Sequence, residues 1–356
     1  MSIKSITALQ ILKNHRKKIW PEIRKYLKDP SFPKQFRIPN QYRSLEKFHW
    51  QLISDYPNRK GKYLRPTLLI LTTKAMGISE KYCLKTAAAI QTSEEWILNH
   101  DDIEDDSPLR RGRPTLHKLY GIELAINAGD SLHSIMWKIL IDNFELLDKS
   151  KATIIMNEFY KIIMRTTLGQ TVDLKWFKEK KLSFTDEDWY FVADSKSSYY
   201  TIAAPMRLGA IIANANEKQL NAISKFGYQL GRSFQLIDDI LDITSDFKGL
   251  KQKGDDIYAG KRTLILGHLL RNASQQDKNK IVFIINKTRK KKTNKEVEWI
   301  IEKMHQYKSI DYARNKAVFF QNRAKQVFDQ ELKFMAKQPY RNQLRQIMKF
   351  ILERDH

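Results

Sequence analysis

An all-α fold is the class that this chain of 356 residues predicts, and three observations lead to it. Glycine and proline are scarce, 13 and 10 residues, about half their usual share, which leaves few turn formers. Apolar residues recur at helical spacing through most of the chain, and no two-residue alternation of any length competes with them. Hydrophobic residues make up 42%, enough for a large core, and no Gly/Ser-rich linker or fixed repeat divides the chain. Residues 1–356 are therefore expected to form a single domain, with 1–45 as a basic arm packed on or beside it.

Residues 6–27 set Ile6, Leu9, Leu12, Ile19, Ile23 and Leu27 among basic side chains, an amphipathic helix with a kink or restart expected at Pro21. Such a helix serves as a packing arm or lies on a membrane surface, and packing is the commoner use. Three prolines make 29–45 a loop. Two helices are expected across 65–99, separated by Gly77-Ile78-Ser79, with Ser79 as the N-cap of the second. Further helical segments are expected at about 124–147, 151–175, 186–213, 217–245, 261–270, 295–308 and 309–353. The run Arg289-Lys290-Lys291-Lys292 reads as a solvated helix connection, with a polyanion-binding patch as the alternative.

Charge and cysteine content narrow the function classes. The 63 Lys+Arg against 40 Asp+Glu give +23, which suits nucleic acid, an anionic membrane surface or small polyanions such as diphosphates. No zinc-finger spacing, RNP-like strand or basic-region zipper accompanies that charge, which lowers the nucleic-acid reading to a runner-up and leaves no nucleic acid among the expected partners. The single cysteine, Cys83, excludes an intramolecular disulfide, a Cys-based zinc site and a CxxC redox pair. With no apolar run of membrane-spanning length and no signal-peptide pattern, a cytoplasmic location is expected.

The sparse acids concentrate in two places. Residues 101–106 carry five acids in six positions, and Asp101, Asp102 and Asp105 share the spacing Asp-Asp-x-x-Asp with Asp238, Asp239 and Asp242. On a helix, i and i+4 lie about 40° apart and i+1 about 100° away, so each triplet presents three carboxylates on one side. Like charges so spaced repel and call for a cation. Oxygen-only ligands point to Mg²⁺, which is held by one or two carboxylates plus phosphate oxygens and water. A solvated charged face is the plain alternative. It fits the second triplet poorly, because Phe234, Leu236, Ile237, Ile240, Leu241 and Ile243 surround it. Basic groups lie nearby: Arg110-Arg111 after the first triplet, Lys62 and Arg65 one turn apart in GKYLRP, and Lys196, Lys251 and Lys261 around the second triplet. Lys and Arg on the outer oxygens of a metal-bound diphosphate would stabilise it as a leaving group.

These residues resemble the trans-prenyltransferases, the short-chain isoprenyl diphosphate synthases, with an appearance closest to archaeal geranylgeranyl and farnesyl diphosphate synthases. The resemblance spans about 55–270 through GKYLRP (61–66), HDDIEDDSPLRRGRPT (100–115), GQTVD (169–173), Lys196, FQLIDDILD (234–242) and GDDIYAGKRT (254–263). It implies an isoprenoid-synthase-type helical bundle around a deep central cavity with two facing Asp-rich motifs, and a homodimer. It implies that Asp101, Asp102, Asp105, Asp238, Asp239 and Asp242 bind two or three Mg²⁺ ions. It further implies that Arg110, Lys196, Gln235, Lys251 and Lys261 hold the allylic diphosphate, with Lys253 competing for the role of Lys251. Gly61, Lys62, Arg65 and Arg111 are implied to bind isopentenyl diphosphate, and Gln170 and Phe234 to line the cavity. The implied reaction is head-to-tail condensation of isopentenyl diphosphate with dimethylallyl, geranyl or farnesyl diphosphate, in a pocket that excludes water.

The chain departs from the family pattern in places. Glu94 stands where the family has His or Gln against isopentenyl diphosphate, and an anion there requires a basic partner. Ser197 replaces a threonine after Lys196. Trp96 and Ile97, the fifth and fourth residues before Asp101, occupy the positions that set product length in the family. By helical angle Ile97 lies on the Asp101 side and Trp96 does not, which favours a twenty-carbon over a fifteen-carbon product. Three other classes compete with an active elongase. They are a non-catalytic or partner-dependent subunit, a terpene cyclase on the same fold, and a polyanion binder whose affinity falls with salt and ignores Asp238→Ala.

Overall fold

The computed structural model describes residues 6–28, 32–33, 35–245 and 253–352. Lys251 and parts of the 1–45 arm lie outside the described residues. In chain order the elements are α1 (Ala8–Arg24), α2 (Arg43–Arg59), α3 (Leu64–Ala75), α4 (Leu84–Glu104), β1 (Leu109–Arg110), β2 (Arg113–Pro114), α5 (Leu116–Tyr120) and α6 (Ile122–Ile141). There follow α7 (Lys149–Lys178), α8 (Asp186–Ala193), a π-helical segment (Asp194–Ala203), α9 (Ala204–Ile212), α10 (Glu217–Thr244) and α11 (Asp255–Ala259). The last are α12 (Leu264–Asn272), α13 (Gln275–Ile285), α14 (Asn294–Gln306), α15 (Ser309–Gln330) and α16 (Tyr340–Leu352).

Contacts divide the chain into two compact units. The first comprises 1–158, 205–215 and 335–346 and is built around α4, which packs on α1, α3 and α6. The Ala87-Ala88-Ala89-Ile90 stretch of α4 is fully buried, and these small side chains let neighbouring helices approach closely. Helix α1 turns Ile11, Leu12, Ile19 and Ile23 inward against α3 and α4, each stabilising the arm by roughly 1.5–3 kcal/mol. It runs unbroken through Pro21 and ends three residues later, so the missing N–H falls in its last turn.

The second unit comprises 159–204, 216–334 and 347–356, with α10 at its centre against α15 and the π-helical segment. Asn216 and Gln219 cap each other's backbone at the start of α10. Leu236, Ile240 and Ile243 of α10 share a core with Leu264, Ile265 and Leu269 of α12 and Phe320 of α15.

Several elements differ from the sequence expectation. Ser79 precedes a short 3₁₀ turn (Glu80–Tyr82) and makes no side-chain capping bond, and α4 begins after Cys83. The segment expected as one helix over 309–353 breaks between α15 and α16, where Gln338 is followed by Pro339. Helix α2 follows the expected loop but begins inside it, at Arg43, and neither α13 nor the β1–β2 hairpin, whose strands of two residues are too short to show alternation, has a counterpart in the expectation. The Arg289–Lys292 run is not a solvated connection throughout. Lys292 is buried and donates to the Tyr258 carbonyl (2.8 Å), and Arg289 donates to Asp255 (2.6 Å).

Candidate active site

Both carboxylate triplets lie at helix C-termini. Asp101, Asp102 and Asp105 close α4, and Asp238, Asp239 and Asp242 close α10, neither of which has a basic residue in its last turn. The negative end of each helix dipole adds to three carboxylates, an arrangement that local electrostatics opposes and a bound cation relieves.

In the first unit the triplet divides its labour. Asp102 is fully buried. It accepts from the Tyr56 hydroxyl at 2.6 Å and from Arg110, whose Nε lies 3.1 and 3.0 Å from its two oxygens and whose Nη2 donates to Oδ1. Asp101 is half-buried, with Arg110 Nη2 at 3.9 Å, and Asp105 is half-buried at the C-cap. The hairpin explains how two adjacent arginines part company. Arg111 and Gly112 both have positive φ, 53° and 74°, the two-residue turn that matches strand twist. Arg110 then reaches Asp102, while Arg111 turns to Glu95 and to the Tyr56 carbonyl. Arg59 of α2 pins the hairpin by donating to the Arg110 (3.0 Å) and Pro114 (2.7 Å) carbonyls.

Glu94 has the basic partners its position demands. Its carboxylate pairs with Arg65 at 3.1 Å and lies 3.9 Å from Arg111. Glu95, fully buried, takes Arg111 at 2.9 and 3.3 Å and the Gln91 amide at 2.8 Å. Burial raises the Glu95 carboxyl to about 7, against the opposing pull of Arg111. A Cβ on Gly61 would lie 2.7 Å from Arg111 Nη2, so a larger residue there would push the guanidinium out of its place. Lys62 is exposed. Trp96 is buried and stacks on His133 of α6, with ring centroids 4.2 Å apart, and Ile97 is half-buried.

In the second unit Asp239 is 4% exposed. One of its oxygens accepts from Gln235 at 2.8 Å and the other, Oδ2, has no hydrogen-bond partner. Burial, with the Asp256 carboxylate nearby, holds its carboxyl well above the usual range. Asp242 is fully buried and accepts from the Asp256 N–H at 3.0 Å, while its own carbonyl accepts from Gly254 at 2.7 Å. It thereby anchors α11, and Lys261, just beyond the end of that helix, pairs back to Asp256 at 3.3 Å. Arg289 and Lys292 grip α11 from the other side, and burial lowers the Lys292 ammonium to about 8. Lys196 pairs with Asp173 at 3.0 Å. Gly169 permits this, because a Cβ there would meet the Lys196 backbone nitrogen at 2.6 Å. Asp238, Gln170 and Phe234 are half-buried, and Lys253 is exposed.

Among the described residues, no three His, Cys, Asp or Glu side chains gather closely enough to enclose a metal alone. The donor set nevertheless fits Mg²⁺, a hard cation that keeps waters and takes phosphate oxygens. The unpartnered, buried Asp239 oxygen fits it as well.

The polyprenyl synthetase family model matches residues 47–304, well over half of the chain. The chain belongs to the polyprenyl synthetase family. It is 33% identical over 298 residues to a short chain isoprenyl diphosphate synthase of Methanothermobacter thermautotrophicus, covering 83% of this chain and 87% of that relative. It is 34% identical over 260 residues to a geranylgeranyl diphosphate synthase of Sulfolobus acidocaldarius, covering 72% and 76%. Its fold matches the crystal structure of a geranylgeranyl pyrophosphate synthetase from Pyrococcus horikoshii with a TM-score of 0.83, at 29% identity and 98% coverage of each chain. The chain is an all-α prenyltransferase of the isoprenoid synthase fold. Sequence reasoning did not single out Tyr56, Arg59 and Glu95, which hold Asp102, the hairpin and Arg111 in the structure. The Asp55-Tyr56-x-x-Arg59 spacing on α2 was the signal available for the first two.

Proposed function

We propose that this chain condenses isopentenyl diphosphate head-to-tail with allylic diphosphates, and that geranylgeranyl rather than farnesyl diphosphate is its product. The observation that carries the reaction is the pair of carboxylate triplets, each ending a helix whose last turn lacks basic residues. Both triplets serve one reaction, with the whole chain acting as one catalytic domain. When bound, Mg²⁺ supplies charge neutralisation of the allylic diphosphate as it leaves. Asp101, Asp105, Asp238 and Asp239 hold it, while Asp102 and Asp242 position Arg110 and α11.

Arg110, Lys196, Gln235 and Lys261 hold the outer oxygens of the allylic diphosphate, with Lys251 or Lys253 as a further cation. Gly61, Lys62, Arg65 and Arg111 form the subsite for isopentenyl diphosphate. The apolar pocket, with Gln170 and Phe234 on its wall, excludes water so that the double bond of isopentenyl diphosphate traps the allylic cation. The departing diphosphate takes the proton, so no protein nucleophile is needed. Ile97 beside the Asp101 side of α4 supports the longer product, since Trp96 is engaged with His133. The exposed Ile122, Leu124, Ile126 and Ile141 of α6 support a homodimer. No described helix is long and apolar enough to cross a membrane, and we place the enzyme in the cytoplasm.

The second reading is a partner-dependent subunit, which the two acids on Arg65 and Arg111 favour. Asp101→Ala and Asp238→Ala decide the site assignment. Each is expected to abolish turnover with helicity by circular dichroism unchanged, and retained turnover in either would reject the assignment.

A further inference from the structure

Arg65 on α3 pairs with Glu94, and Arg111 on the hairpin turn lies against both Glu94 and Glu95, on α4 nearly two turns before Asp101. The two acids do different work. Glu95 is fully buried, grips Arg111 through both of its oxygens and is itself held by Gln91. It fixes where Arg111 sits, and Gly61 keeps the space open for the guanidinium. Glu94 is more accessible, with 13% of its side chain exposed, and lies across the gap between the two arginines, 3.1 Å from Arg65 and 3.9 Å from Arg111. Two cations, Arg65 and Arg111, meet two carboxylates here, so most of the charge that would attract a diphosphate is already answered by the protein.

We propose that Glu94 is a specificity-determining residue that competes with the second substrate's diphosphate for Arg65 and Arg111, a built-in brake on isopentenyl diphosphate binding. The inference rests on the assignment of those two arginines to that substrate. A diphosphate entering this subsite must displace the Glu94 carboxylate from Arg65 and then remain beside a like charge. The allylic diphosphate, bound through other residues, does not meet this competitor. The brake therefore acts on one substrate alone, and it makes turnover respond to isopentenyl diphosphate supply over a higher concentration range than an uncharged residue would.

Glu94→Gln keeps shape and an acceptor oxygen while removing the charge. It is expected to lower the KM for isopentenyl diphosphate by about tenfold, the lower end for removing a unit charge about 5 Å from an anion, with kcat and the allylic KM changed by less than about twofold. Glu94→Asp, which keeps the charge, is expected to leave that KM near the parent value, and Glu94→Ala serves if the glutamine variant misfolds. Calorimetry with inorganic pyrophosphate, without any turnover, reads the same effect as tighter binding in Glu94→Gln. Tighter pyrophosphate binding in a protein that makes no product with any primer would uphold the brake and reject the elongation reading. Product formation with an unchanged or higher KM for isopentenyl diphosphate in Glu94→Gln would overturn the brake and leave elongation standing.

Discussion

The neighbouring carboxylates Asp101 and Asp102 should answer the same substitution in opposite ways. Asp102 has no exposed surface and neutralises Arg110 through both oxygens, with the Tyr56 hydroxyl at 2.6 Å. Asp102→Asn preserves size but leaves the Arg110 guanidinium without its buried counter-charge. Breaking a buried pair on one side costs about 3–5 kcal/mol, and the amide oxygen still accepts one bond, so about 3 kcal/mol is expected. At about 2 °C per kcal/mol for a domain of this size, the melting temperature falls by about 6 °C. Asp101 is 21% exposed and contacts Arg110 only at 3.9 Å, so Asp101→Asn should move it by less than about 2 °C. Turnover runs the other way, with Asp101→Asn losing the Mg²⁺ response and Asp102→Asn retaining a Mg²⁺ titration midpoint near the parent's. Differential scanning fluorimetry and a metal titration of activity read both. Equal melting temperatures for the two variants would refute the division of labour within the motif.

Three further outcomes are expected. Ile97→Ala should lengthen the product by mass spectrometry, while Trp96→Ala should leave its length unchanged and cost about 3 kcal/mol by removing the stack on His133; an unchanged product from Ile97→Ala would show that another wall sets the length. Lys292→Met removes the bond to the Tyr258 carbonyl at the back of α11. The allylic KM should then rise by about threefold or more through the displaced Lys261, while the KM for isopentenyl diphosphate stays put, and a parallel rise in both would contradict the strut. Burial lowers the His15 imidazole to about 4, so the folded state keeps it neutral. Its contribution to stability is complete above pH 6.5 and falls by about 3 kcal/mol as pH drops towards 4. His15→Gln should flatten urea-denaturation stability across that window, and an unaltered slope would exclude the group.

Much of the fold was legible because α10, α7 and α4 carry long helical periods and because acids are conspicuous in a basic chain. The spacing Asp-Asp-x-x-Asp marked both motifs, but it could not say that Asp102 and Asp242 turn inward, since that depends on Tyr56 and the Asp256 N–H from distant segments. The demand of Glu94 for a cation was readable, and its partners Arg65 and Arg111 were already among the candidates. The π-helical segment escaped because its wider turn shifts the side-chain phase within what reads as one helix over 186–213. The basic run was misjudged for a similar reason. Local composition marks Lys292 as solvated, and only the packing of α11 against it shows a buried ammonium.

Chain elongation itself is tested most directly by incubating the purified protein with Mg²⁺, isopentenyl diphosphate and, in turn, dimethylallyl, geranyl and farnesyl diphosphate, and weighing the products by mass spectrometry. A ladder ending at twenty carbons, lost on chelation of the metal, is the predicted result. No elongated product from any primer, at isopentenyl diphosphate concentrations high enough to overcome Glu94, would contradict it.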